Sequence, residues 1–226
     1  LGDTSARRRT ARAWRAAVRH GTRPGPDGGR TVKGARMPKT LTLPARPQDV
    51  RALAAGDEVL LRGRVVTGRE AAHRYLAAHD DPQVRRWTGG AVLYHCGPVV
   101  ARGPGGGWRF VAAGPSASGR QEAWQAEVIA RYGLRGVLGK GGMGPRTLEA
   151  LRAHGAVYLH AAGGLAVSLA RRVTRVLDVA RLDALGVTEA IWLVEVEDFP
   201  AVVTMDAHGE TLHAPGADAA GSSPPG

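Results

Sequence analysis

A mixed α/β domain, its mixed sheet flanked by helices, is the fold class the sequence predicts. Three observations predict it. Short apolar, β-branched runs dominate the early part of the body, strand-like and helix-like segments alternate through the middle, and strand patterns return before residue 205. Alternation of this kind builds a sheet covered by helices, and the strand-rich ends add mixed pairing.

The elements follow in chain order. Glu58 to Val66 carries valine and leucine at strand density. Arg69 to Ala78 is rich in alanine and reads as a helix. Ala91 to His95 and Phe110 to Ala113 read as strands. Arg120 to Tyr132 is helical, because Ala123, Trp124, Val128 and Ile129 recur on one face. Gly136 to Leu138 is a short buried strand. Pro145 opens a helix to Ala153, in a first turn that tolerates proline. Ala156 to Leu159 reads as a strand and Leu165 to Leu177 as a helix. Ile191 to Val196 and Ala201 to Met205 are two closing strands, followed by a turn at His208-Gly209.

This body spans residues 41–213 as one domain. Residues 1–40 are expected to be an N-terminal extension, either unstructured or placed ahead of a start at Met37. Residues 214–226 read as a disordered, linker-like tail.

The formal charge of +11 is unevenly spread. Residues 1–36 hold ten basic and two acidic side chains, so the rest of the chain carries only +3. A nucleic-acid partner for the body is therefore not expected; a basic arm within residues 1–36 is the one place for such binding. Arginine outnumbers lysine by 28 to 3, which makes each lysine in the body conspicuous. The one cysteine, Cys96, can form no internal disulfide and cannot by itself supply a metal or cluster site. A cytoplasmic protein is the expectation. The longest apolar stretch, Ala156 to Ala170, is broken by His160, Gly163 and Gly164 and falls short of the roughly 20 residues a membrane span needs.

The most informative local feature occurs twice. Thr67-Gly68-Arg69-Glu70 and Ser118-Gly119-Arg120-Gln121 both fit a capping box, and each places an arginine at the second helical position. A cation there opposes the positive end of the helix dipole. An anionic ligand would reconcile the two, since helix N-termini and guanidinium forks both suit carboxylate or phosphate. Ion pairs with surface acids are the competing reading.

Lys140, in Gly139-Lys140-Gly141-Gly142, follows a strand in the same way, and its glycines permit close approach of backbone to a ligand. Ser116 stands beside Arg120 in Gly114-Pro115-Ser116-Ala117-Ser118-Gly119-Arg120, with no capping duty of its own. The same stretch nearly matches a phosphate-binding loop, but Arg120 and Gln121 occupy the places of the required Lys and Ser/Thr.

Taken in order, Gly63-Arg64-Val65-Val66-Thr67-Gly68-Arg69-Glu70-Ala71-Ala72-His73, Tyr94-His95-Cys96-Gly97-Pro98, the Gly114–Arg120 run, Gly139-Lys140-Gly141, Ala156-Val157-Tyr158-Leu159 with Gly163-Gly164, and Glu195-Val196-Glu197-Asp198-Phe199-Pro200 resemble the β subunit, or C-terminal domain, of class I fumarases and L(+)-tartrate dehydratases. The resemblance covers residues 50–213. It implies a swivelling β/β/α domain and reversible hydration of a small dicarboxylate, fumarate/malate first and tartrate next. It also implies a cluster-binding α subunit, in an α2β2-type assembly, that carries a [4Fe–4S] cluster; none is expected on this chain.

Residue by residue, the resemblance makes Arg69, Arg120 and Lys140 carboxylate-binding cations and Ser116 the catalytic hydroxyl. The family pattern Gly-Pro-Thr-Thr is here Gly-Pro-Ser-Ala, Glu70 replaces an aspartate, and Gln121 replaces a methionine. A non-catalytic, anion-binding or regulatory paralogue is therefore the alternative. His73 reads as a partly buried structural histidine, His95, His160 and His213 lack metal-ligand spacing, and Cys96 reads as a buried, inert thiol.

Overall fold

The computed structural model describes residues 37–213 apart from residue 104. The expectations about an N-terminal extension, a basic arm and a tail fall on residues 1–36 and 214–226, outside the described residues. The first strand, β1 (Lys39–Leu43), begins two residues ahead of the expected boundary at 41. Helix α1 (Pro47–Arg51) follows, and then the long strand β2 (Glu58–Thr67).

From β2 the chain makes three parallel steps. Helices α2 (Glu70–Ala78) and α3 (Pro82–Thr88) carry it to β3 (Val92–Tyr94). The hairpin β4 (Val99–Arg102) and β5 (Trp108–Ala112), a 3₁₀ turn at Ser118–Gln121 and helix α4 (Glu122–Tyr132) lead to β6 (Gly136–Gly139). Helix α5 (Pro145–His154) leads to β7 (Val157–His160). Parallel neighbours require crossovers of this length, and helices supply them. Helix α6 (Ala166–Ala170), strand β8 (Val173–Ala180), helix α7 (Leu182–Leu185) and strand β9 (Ile191–Met205) complete the described chain.

The seven-stranded sheet runs β1-β2-β3-β6-β7-β9-β8, and β9 also pairs with β2. Strands β2, β3, β6 and β7 are parallel, while β9 is antiparallel to both β2 and β7. The five strands therefore close into a ring, with β1 and β8 as flanking strands. Side chains alternate between its two faces, as the strand repeat requires. Val65, Val92, Tyr94, Leu138, Leu159 and Trp192 enter one buried cluster. Val66, Leu93, Val137, Tyr158 and Ile191 enter the other, against helices α2 to α5. Outside the ring β1 pairs with β2, and there Gly63 (φ 109°) sits opposite Leu43 with no room for a Cβ: one would lie 2.2 Å from the Leu43 carbonyl oxygen.

Two sequence expectations are corrected here. The helix expected over Leu165 to Leu177 ends at Ala170, and Val173–Ala180 is a strand. The spacing of apolar residues there fits a helix, but Val173, Val176 and Val179 instead face Val196, Val194 and Trp192 across β9. Partner packing decided a β-branched segment that local spacing left open. The two closing strands are one strand, bent at Asp198 (φ 50°), whose carboxylate accepts from Arg62 Nε at 2.7 Å.

One buried carboxylate ties α3 to the start of α7. Asp81 accepts from Gln83 N and Val84 N at the N-terminus of α3, from the Tyr75 hydroxyl, and from Arg181 Nε and Nη2 at 2.8 and 2.6 Å. Burial pushes its pKa up, but the Arg181 guanidinium and the other donors outweigh this and hold it below the usual carboxylate range. A depressed folded-state pKa stabilises above the unfolded value and loses that contribution as pH falls through the folded one. Asp81→Ala removes a helix cap and a charged pair and is expected to cost about 2–3 kcal/mol at pH 7. Urea unfolding should show this difference shrinking below about pH 4. Equal stability of variant and wild type at pH 7 would refute the assignment.

Candidate functional site

The four parallel strands end together at Thr67, Tyr94, Gly139 and His160, and sheets of this kind hold ligands beyond such carboxyl ends. Arg69 follows β2, His95-Cys96-Gly97 follows β3, Lys140 follows β6 and Gly163-Gly164 lies just past β7. Across this edge lies the loop that contains Ser116. Pro115 bridges to Cys96; Ser116 N donates to His95 O at 2.7 Å; Lys140 N donates to Ser116 O at 3.2 Å; and Ser118 N donates to Lys140 O at 2.9 Å. Ser116 and Lys140 are thus joined backbone to backbone.

The other two candidates are held differently. Arg69 is half-buried, and its stem lies against Gly97: a Cβ on Gly97 would fall 2.5 Å from Arg69 Cδ. Its Nε is 3.4 Å from Glu189, with the side chain still 32% exposed. Gly97 and Lys140 extend neighbouring strands, so the loop of Arg69 and that of Lys140 are two strand spacings apart, about 10 Å. Arg120 is exposed in the 3₁₀ turn, and Lys140 is exposed beside Gly163. Among the described residues, the side chains of Ser116, Arg120 and Lys140 make no hydrogen bond or ion pair.

Neither capping box forms. Arg69 is the N-cap of α2 with no side-chain cap bond, and the Thr67 hydroxyl accepts from Trp192 N instead. The end of α2 is served by the protein's own Glu189, whose Oε2 accepts from Ala71 N at 2.9 Å. Ser118 begins the 3₁₀ turn, with its hydroxyl turned into the core. Local pattern supplied the right residue types, but strand β9 and the core supplied competing partners. An anionic ligand is not needed to satisfy α2; the site stands on the strand-end geometry. Glu122 does the same for α5, accepting from Gly144 N, Thr147 N and the Thr147 hydroxyl.

Sequence reading missed what lies beneath the loops. His95 Nδ1 is 2.8 Å from Ser118 Oγ, which is 2.8 Å from the Tyr158 hydroxyl. His95 Nε2 and His73 Nε2 both meet the Gln125 side-chain amide, at 2.7 and 3.0 Å, and His73 Nδ1 donates to Arg69 O at 2.7 Å. All five side chains are fully buried. Burial lowers the His73 pKa and holds that of His95 well below its ordinary value, which favours the neutral form of both rings. His73, expected to be a partly buried structural histidine, is fully buried, and nothing in the sequence pointed to its connection with His95. Gln125 gave no signal, since a lone glutamine within a helix has no distinctive spacing.

Gly139 makes room for this chain: a Cβ there would fall 1.9 Å from Ser118 Oγ and 3.1 Å from both His95 Nδ1 and the Tyr158 hydroxyl. Gly139→Ala is expected to destabilise by about 1–3 kcal/mol through overpacking. Thermal unfolding reads it, and an unchanged midpoint would show that Ser118 can move aside freely.

The cysteine and the acids do not form a metal site. Burial pushes the Cys96 thiol up to about 12 against the pull of Arg69, so it is protonated and a poor ligand. Among the described residues there is no group of three or more His, Cys, Asp or Glu side chains placed to hold a metal ion. An iron–sulfur cluster does not fit on this chain's own described residues.

Fold and strand-end loops together define a class: an α/β domain whose candidate site lies at the carboxyl edge of a parallel sheet. Residues 26–216 match the family described as Fumarase C-terminus, and the chain belongs to that family. It is 45% identical over 174 residues to a Geobacillus stearothermophilus protein named "Putative fumarate hydratase class I", covering 77% of this chain but 33% of that protein. It is 35% identical over 177 residues to L(+)-tartrate dehydratase subunit beta of Escherichia coli (strain K12), covering 78% of this chain and 87% of that subunit. The chain thus spans about a third of the first relative and most of the second. No helix among the described residues is long and apolar enough to cross a membrane.

Proposed function

We propose that this chain is the β subunit of an iron–sulfur hydro-lyase that adds water to, or removes it from, a small dicarboxylate, with fumarate/malate as the first substrate pair and tartrate the next. The observation that carries this reading is the backbone-to-backbone pairing of Ser116 with Lys140 beyond the carboxyl ends of the parallel strands, with Arg69 and Arg120 on the adjoining loops. The relatives named fumarate hydratase and tartrate dehydratase support it. The ring of strands with helices α2 to α5 against one of its faces is consistent with a swivelling β/β/α domain. The protein acts in the cytoplasm.

In this reading Arg69, Arg120 and Lys140 bind the two carboxylates. The cations also favour negative charge on Ser116 Oγ, which in dehydration takes the proton from the carbon next to the one losing hydroxyl, and in hydration returns it. A cluster-binding α subunit, in an α2β2-type assembly, carries the [4Fe–4S] cluster, which supplies Lewis-acid chemistry toward the hydroxyl. No step on this chain passes through it.

The test is assembly of the full chain with its cluster-bearing partner under anaerobic conditions, followed by ultraviolet absorbance of unsaturated diacid. Turnover of fumarate or tartrate is the expected result. No turnover of any small hydroxy-diacid, with the cluster intact, would sink the reading. The Ser116-Ala117 departure favours a second reading, a non-catalytic anion-binding or regulatory paralogue. Restoring threonine at both positions tests it in an assembly that turns over no substrate: continued inactivity is the result expected of the paralogue, and a large gain in rate indicates a tuned enzyme instead.

A further inference from the structure

The buried chain under the site poses a problem of proton count. His73 Nδ1 faces the Arg69 carbonyl oxygen, so it must carry a hydrogen. With the Gln125 amide oxygen toward both rings, His73 Nε2 must carry one too, and the ring would be a buried imidazolium with no carboxylate among its hydrogen-bond partners. In that sense Gln125 Nε2 is also left without a partner. The two ends of an amide are distinguished only by the hydrogen bonds they make. Turning it end for end removes both faults. The NH₂ group then donates one hydrogen to each Nε2, both rings are neutral with hydrogen on Nδ1, and the atom left over is an acceptor, which tolerates burial better than an orphaned donor. His73 donates to the Arg69 carbonyl and His95 to Ser118 Oγ, and the Ser118 and Tyr158 hydroxyls, each able to donate or accept, complete the chain.

We propose that Gln125 is a positioning residue: by donating to both imidazoles it fixes the Nδ1–H tautomer of His73 and His95, and so ties the Arg69 loop and the Ser116–Arg120 loop to one register. The two loops belong to different crossovers, and α4 reaches both through this one amide. Its meaning for substrate rests on the function proposed above; its structural content does not.

Ring nitrogens of the ¹⁵N-labelled full chain, read by long-range ¹H–¹⁵N spectra at pH 7, test the tautomers. Both His73 and His95 should show hydrogen on Nδ1 and a bare Nε2. Hydrogen on Nε2 of either ring overturns the proposal. Gln125→Glu keeps the shape but carries at most one hydrogen, so it cannot donate to both rings. In that variant, hydrogen exchange at the Ser116, Ser118 and Lys140 amides should quicken about fivefold to tenfold, the equivalent of one buried hydrogen bond, while β1–β2 amides keep their rates. Unchanged exchange at those three amides in a folded variant overturns the positioning role.

In the assembled enzyme, Gln125→Glu should raise KM for fumarate about tenfold with a smaller change in kcat. An unchanged KM removes the link to substrate. If the wild-type assembly turns over no hydroxy-diacid, the hydro-lyase reading fails, while the nitrogen spectra and exchange rates still decide the network. If the variant does not fold, the wild-type spectra decide it alone.

Discussion

Replacing Ser116 by alanine is expected to lower kcat of the assembled hydro-lyase about 10²- to 10⁴-fold, the range lost when a positioned proton-transfer group is removed. KM should change little. The loop keeps its place without the hydroxyl, because Ser116 is held by its backbone, to His95 O and from Lys140 N. Binding and turnover therefore come apart in this variant. A companion Ser116→Thr should retain most of the rate, since it keeps a hydroxyl at the same carbon. Steady-state kinetics of both variants check it. A Ser116→Ala enzyme within threefold of wild type, about 0.7 kcal/mol, would remove Ser116 from the chemistry.

Replacing Lys140 by methionine is expected to lower kcat/KM for the dicarboxylate about 30-fold to a few thousandfold, as truncating one partner of a hydrogen-bonded charge pair does. Most of the loss should appear in KM. The stem of Lys140 runs past Gly163, and methionine keeps that packing while removing the ammonium. Lys140→Arg is not a conservative control: it presents a planar fork instead of a point charge. The same experiment on Arg69 reads differently, because Glu189 already holds part of its charge. Arg69→Met would also leave that carboxylate with only Ala71 N for company, so a loss of stability accompanies the loss of binding. A Lys140→Met enzyme with unchanged KM would mean that the ammonium never touches substrate.

The sequence by itself determined the element types that are strongly periodic or tightly bounded. Strand β2, the helices over Glu70–Ala78, Glu122–Tyr132 and Pro145–His154, and the short strands β6 and β7 lie where residue pattern places them. Their apolar faces repeat at the spacing of their backbones, which is local information. It also determined which loops to watch, because a cation or hydroxyl after a strand is visible in the chain itself.

Only the tertiary structure decided the rest. Val173–Ala180 became a strand because β9 offered it an edge. Thr67 and Ser118 turned away from helix ends because Trp192 N, His95 and Tyr158 were better placed to bond them. Glu189, far along the chain, took the helix end that a local reading left for a ligand. Gln125 met two histidines from different elements. A hydroxyl or carboxylate bonds whichever buried partner the fold brings near it, since an unpaired polar group in the core costs more than a lost local cap. That choice depends on distance in space, which residue order does not state.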